Sequence, residues 1–218
     1  MIERKTTVAR PRRKPVQSRS WQTSLAIQDA FVQLLVEGEY DQITIRDIVM
    51  VAGVALGSFY EYFTSKEELA RTCVHFRSKR ILKTLEKCRA EAVGQPMAQS
   101  AERTVLTLLD MVMDDHARWG QHFLLERLHS PLPQYRADYA RFTLRWKLLL
   151  EASSDWPVGQ DAHGPALTLS MMVYGALAHT ALSGEESFDK GDVRQQLRLA
   201  ATSYLAALRS SPVLDRRY

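Results

Sequence analysis

The sequence predicts an all-α protein of about nine helices, and three observations carry that. Apolar residues recur at i, i+3 and i+4 from residue 20 almost to the end. No period-2 run makes a convincing strand. Gly and Pro fall between the periodic stretches, where helices must stop.

The first 19 residues stand apart. They carry seven Lys/Arg (Arg4, Lys5, Arg10, Arg12, Arg13, Lys14, Arg19) against Glu3, with Pro11 and Pro15 among them, and little apolar content. This reads as a basic arm without fixed structure, of the kind that attracts polyanions. Ile27, Ala30, Phe31, Leu34 and Leu35 then form one helical stripe, stopped at Gly38. Two short segments follow, Thr44 to about Val51 and Phe59 to Phe63, separated by Ala52-Gly53-Val54. Ser65 and Glu68 have capping-box spacing and open a long helix to about Ala92, ended by Gly94 and Pro96.

Helical patterning continues beyond. Val105, Leu108, Leu109 and Val112 share a face. Trp119, Phe123 and Leu124 mark a short helix closed by Pro131 and Pro133. Tyr135, Tyr139, Phe142, Trp146 and Leu149 make an amphipathic stripe. Residues 153–165 read as a loop, residues 166–182 as a helix apolar nearly all round, and a last helix puts Val193, Leu197, Ala201, Tyr204, Leu205 and Leu208 on one face.

Composition bounds the function. At 218 residues the chain is one domain or two small ones, at roughly 100–200 residues per domain. Apolar residues are 45% and charged residues 25%, which excludes wholesale disorder and a fibre. The formal charge of +4 arises in the arm: residues 21–80 are net negative and residues 81–218 net neutral. No unbroken apolar run reaches the length of a bilayer span, and the N-terminus lacks a secretory apolar region, so a cytoplasmic protein without membrane contact is expected. Cys73 and Cys88 lie 15 residues apart in one helix and cannot bridge. His122 and Glu126 share a helix face, but two ligands are too few for a metal site, and neither metal nor cofactor is expected. There is no GxSxG, Walker loop or GxGxxG, which leaves a helical-bundle enzyme as a remote alternative.

Residues 44–63 read TIRDIVMVAGVALGSFYEYF, two short helices around a glycine turn. That is helix-turn-helix spacing, in which the second helix enters the major groove of DNA. Tyr40, Thr44, Ile48, Ala52-Gly53-Val54, Gly57, Tyr60, Phe63 and Ser65-Lys66-Glu67-Glu68-Leu69 stand at the spacing of the tetracycline-repressor (TetR) family, and the chain resembles that family over about residues 22–75. The resemblance implies a DNA-binding head over 20–66, an effector-binding and dimerising bundle over 67–210 and a tail over 211–218. It further implies a dimeric regulator, most simply a repressor released from a palindromic operator by a small molecule. A regulator of the same fold without an effector is the alternative.

Roles follow from chemistry. Thr44 is placed at a phosphate through its hydroxyl and backbone N–H; Tyr60, Tyr62 and Lys66 also at phosphates; Ala55, Leu56, Gly57, Ser58 and Phe59 nearest the bases; and Arg12, Arg13 and Lys14 along the duplex. Where the family commonly has Ser or Thr and then a polar residue, this chain has Ala55 and Leu56. The effector cavity is expected among Trp119, Phe123, Tyr139, Phe142, Trp146 and Met172. Arg136, Arg145, His116, His122 or His179 would supply a polar anchor there, which suits an apolar or aromatic molecule bearing a carboxylate or phenol. The dimer is expected to form through Leu177 and Ala181 of the penultimate helix and Leu197, Ala201, Tyr204 and Leu205 of the last. A tilt of the long helix from Ser65 would carry an effector signal to the head.

Overall fold

The computed structural model describes residues 16–183 and 189–210, with side chains from residue 20. Within them are nine α-helices, one 3-10 turn and no strand. Helix α1 (Val16–Glu37) begins four residues before the expected end of the arm, so residues 16–19 belong to it. A 3-10 turn at Tyr40–Gln42, not anticipated, leads into α2 (Ile45–Ala52) and α3 (Leu56–Tyr62). Helix α4 (Lys66–Ala92) is followed by α5 (Met97–Met113), α6 (His116–His129), α7 (Leu132–Glu151), α8 (His163–Leu182) and α9 (Lys190–Arg209). Prolines work here as starters rather than closers. Pro96 and Pro131 are N-caps, Pro133 lies in the first turn of α7, and Pro165 sits in the first turn of α8, which therefore opens three residues early.

The caps fix the head. Thr44 and Asp47 form a reciprocal capping box on α2, and Gly53, at φ 65°, closes it in the left-handed region that glycine tolerates. At α4 the Ser65 hydroxyl accepts from the Glu68 N–H, but the Glu68 carboxylate accepts from the Thr64 N–H at 2.7 Å instead of returning to Ser65. Ala55 caps α3 with no side-chain bond, at a cost of about 0.5–2 kcal/mol relative to Ser or Thr.

Two cores result. The head core unites Ile27, Phe31 and Leu35 of α1, Ile48 and Val49 of α2, Phe59 of α3, and Leu69, Ala70, Cys73 and Val74 of α4. The bundle core runs from Ile81 and Leu85 of α4 through α5–α9. At about 1.5 Å per residue, the 27 residues of α4 span about 40 Å and serve both cores. One residue crosses from the bundle: Leu125 of α6 is buried in the head core.

Helix α8 is apolar on nearly every face. Its 20 residues, with mean hydropathy 1.2, make it long and apolar enough to cross a membrane, and half of that window is buried inside the bundle. Helix α6 approaches it very closely. A Cβ added at Gly120 would lie 2.6 Å from the Ala181 carbonyl oxygen. Gly120→Ala should therefore destabilise the fold by about 1–3 kcal/mol, seen as a lower calorimetric Tm, whereas Gly164→Ala, with open space around it, should not.

Candidate nucleic-acid interface and bundle cavity

The helix-turn-helix presents one exposed edge. Ala55, Leu56, Gly57 and Tyr60 are exposed and Ser58 and Tyr62 half-buried. Phe59 is fully buried, its ring 5.4 Å from Tyr60 and 5.6 Å from Phe63. It therefore builds the head core and does not reach a base. Its burial contributes about 1.5–3 kcal/mol, which is why α3 keeps its position despite the weak cap.

Two phosphate candidates prove to be engaged internally. The Thr44 backbone N–H and hydroxyl both donate to Asp47 Oδ2, at 2.9 and 2.6 Å. These bonds hold the Asp47 carboxyl below the usual carboxylate range. The Lys66 ammonium donates to the carbonyls of Tyr40 (2.7 Å) and Ile43 (2.8 Å) and stands 4.2 Å from the Tyr40 ring centroid. Lys66 thus ties the start of α4 to the turn before α2, leaving one N–H for an outside acceptor. Arg46, in the first turn of α2 and exposed, is the cation that reading the sequence passed over. Its place beside the recognised Thr44 was the available signal. Arg12, Arg13 and Lys14 lie outside the described residues.

The Tyr40 ring also meets the bundle, 4.3 Å from the ring of His129 at the end of α6. Burial, reinforced by Glu67 and Asp41, pushes the Tyr40 phenol up to about 12. Arg118 of α6 pairs with Asp29 of α1 at 3.5 Å. So Arg118, Leu125 and His129, spaced by seven and four, form one face of α6 turned to the head.

The neighbouring face borders a cavity of about 420 Å³ between α6, α7 and α8. Phe123, Glu126 and Arg127 line it from α6, Tyr135 and Tyr139 from α7, and Tyr174, Ala178 and His179 from α8. Of the residues expected at an effector site, Phe123, Tyr139 and His179 are there. Trp119, Phe142 and Trp146 are not on its wall but sit in the solid bundle core, where close packing leaves no space beside them. Trp119 is flanked by the Arg77 and Arg80 guanidiniums, 5.1 and 5.9 Å from its ring. His116 donates from Nε2 to the Thr180 carbonyl at 2.8 Å, which joins α6 to α8. Arg136 is exposed on α7, and Met172 packs half-buried against the core.

The cavity wall is more polar than expected. Tyr174 donates a very short hydrogen bond to Glu126, and Tyr135 and Tyr139 share one of 2.7 Å with rings stacked at 4.4 Å. Burial raises the Glu126 carboxyl, and the Tyr174 bond opposes that rise. Among the described residues no group of three or more His, Cys, Asp or Glu is placed to hold a metal ion.

The expected dimer residues also face inward. Leu177, Ala181, Leu197, Ala201 and Leu205 are buried within their own subunit, and Tyr204 packs half-buried against the same core. The outward faces of α8 and α9 carry Leu167, Met171, Gly175 and Leu182, and Leu199, Ala200, Ser203, Ala206 and Ala207.

A helix-turn-helix on a three-helix head, joined to a helical bundle, is the architecture of a class of DNA-binding regulators. Residues 27–73 match the family model of bacterial regulatory proteins, tetR family. That match covers the helix-turn-helix and the start of α4, so the head is similar to the DNA-binding domain of that family. No curated protein matches the sequence. Solved structures share the fold. A transcriptional regulator from Aquifex aeolicus VF5 is 20% identical with a TM-score of 0.60, over 84% of this chain and 99% of that one. A TetR-like regulator from Rhodococcus sp. RHA1 is 19% identical with a TM-score of 0.60, over 89% and 99%. FadR from Bacillus subtilis, solved in complex with stearoyl-CoA, is 18% identical with a TM-score of 0.62, over 82% and 97%.

Buried His122, which has no hydrogen-bond partner on either ring nitrogen, has a consequence for acid stability. Burial pushes its imidazole down to about 3, with Arg77 adding to the effect. The unfolded chain, with an ordinary histidine near 6.5, therefore binds one more proton between those values. Stability from this group is complete above about 6.5 and falls with pH below it, by about 2 kcal/mol at pH 5. His122→Leu should flatten the urea-denaturation midpoint between pH 7 and pH 5 relative to the parent.

Proposed function

We propose that the protein is a cytoplasmic homodimeric repressor that leaves a palindromic operator when a small molecule enters the cavity of the bundle. The observation that carries this reading is the double role of α6. One face lines the cavity with Phe123, Glu126 and Arg127; the other enters the head with Leu125 and touches Tyr40 through His129. A ligand whose fit differs between two positions of α6 shifts the head by that difference in affinity, and by no more. This replaces a tilt of α4 alone as the route of the signal. A cavity of this volume also favours an effector-controlled regulator over one without an effector.

For DNA contact, the reading keeps Leu56, Gly57 and Ser58 at the bases and Tyr60 and Tyr62 at phosphates. It adds Arg46, and it gives Lys66 a positioning role with one donor to spare. The described head offers few free cations, so the basic arm supplies much of the charge. With an operator selected from a random duplex library, Arg46→Ala and Tyr60→Phe should each weaken binding. Deleting residues 1–15 should flatten the slope of log affinity against log salt by up to about 0.9 for each phosphate the arm neutralises. An unchanged slope would remove the arm from the interface.

For the dimer, the outward small and apolar faces of α8 and α9 allow close packing against their symmetry mates into a four-helix interface. Half of α8 remains open in one subunit, which a partner would cover. Leu199→Glu and Ala207→Glu should give folded, helical monomers by light scattering and circular dichroism. Leu197→Glu and Leu205→Glu, which put a charge in the subunit core, should unfold the protein instead.

A further inference from the structure

The cavity wall specifies the charge of its occupant. Of the ionisable groups that line it, Arg127 and His179 are exposed and keep their water, while Glu126 is 2% exposed. One Glu126 oxygen accepts from Tyr174; the other, Oε1, is buried and has no partner among the described residues. A buried oxygen left unpaired is costly, and the site lowers its free energy by acquiring a donor or a positive charge. A second buried carboxylate, Asp138, adds negative potential from α7. It pairs with Gln134 at 2.9 Å and with the exposed Arg141 at 3.3 Å. With Glu126 on the cavity wall stand the rings of Phe123, Tyr139 and Tyr174, with Tyr139 and Phe123 set edge-on to Tyr174 at 4.9 and 5.4 Å. Aromatic rings around a carboxylate favour a poorly hydrated organic cation, which the ring quadrupoles attract and which loses little hydration on entry.

We propose that the cavity takes a lipophilic monocation, a quaternary or protonated amine on an aryl or alkyl body, with its charged head against Glu126 and the Tyr139–Tyr174 wall. This rests on the cavity being the effector site, and it reverses the carboxylate or phenol that the sequence suggested. Burial raises the Glu126 carboxyl, and a cation placed against it would act in the opposite direction, favouring the charged form. The polar, tyrosine-lined wall does not suit a long acyl chain, whose methylenes would leave Glu126 and the phenols unpaired.

The test titrates the full-length protein by calorimetry with three probes: benzyltrimethylammonium, its uncharged carbon isostere neopentylbenzene, and stearoyl-CoA. Benzyltrimethylammonium should bind tightest. Glu126→Gln, which keeps shape and volume, should weaken it at least tenfold and leave the isostere unchanged. Tyr139→Leu should weaken it as well, while circular dichroism shows both variants folded. The proposal is overturned if the isostere or stearoyl-CoA binds more tightly than the cation, or if Glu126→Gln holds cation affinity within twofold. In that event, release of operator DNA by either of those two ligands would leave effector control standing and remove only the cation. Binding of none of the three would remove both.

Discussion

Leu125 belongs to a helix of the bundle and is buried in the core of the head. That single insertion constrains the rest. The head cannot close its apolar core without α6, so the DNA-reading helices and the bundle fold against one shared element. Polar contacts on either side of Leu125 reinforce the register: Arg118 with Asp29, and the His129 ring against Tyr40. The exposed ion pair contributes little energy alone, as surface pairs do. The buried leucine supplies the stability, and the charges set the orientation.

A second brace meets the first at Tyr40. Lys66 joins α4 to the carbonyls of Tyr40 and Ile43, and Tyr40 in turn lies between Lys66 and His129. The turn before α2 is thereby held from both domains. Helix α6 meets this turn directly and, through it, the helix-turn-helix. Helix α4, anchored in both cores, is the frame that the two share.

Much of this was legible in the chain, and the limits have physical causes. The nine helices and the Gly53 turn follow from periodicity and from the left-handed conformation glycine accepts. The 3-10 turn carries no periodic signal and was invisible. The stripe of Leu197, Ala201 and Leu205 correctly marked a buried face, but periodicity reports burial without naming the partner, and α5 covers that face instead of a second subunit. Likewise Trp119, Phe142 and Trp146 were right as buried aromatics and wrong as a cavity wall, because a void depends on how side chains from three helices fail to meet. Lys66 was recognised as a cation near the interface. Its carbonyl partners lie 26 and 23 residues away, beyond any local pattern. Glu126 was seen only as a possible metal ligand, since nothing local shows that Tyr174 and an empty space meet it.

The contact at Gly120 has a mechanical meaning. There the backbones of α6 and α8 come so close that no side chain fits between them, and under the proposed effector control this contact is the natural fulcrum for a tilt of α6. His129 lies nine residues farther on, about 13 Å along the axis at 1.5 Å per residue. With Gly120 as fulcrum, a swing of about 10° displaces the far end by about 2 Å, whereas Phe123, near the fulcrum, moves only a fraction of that. A tilt about that point would make α6 a lever with unequal arms, turning a small adjustment at the cavity into a larger one at the head.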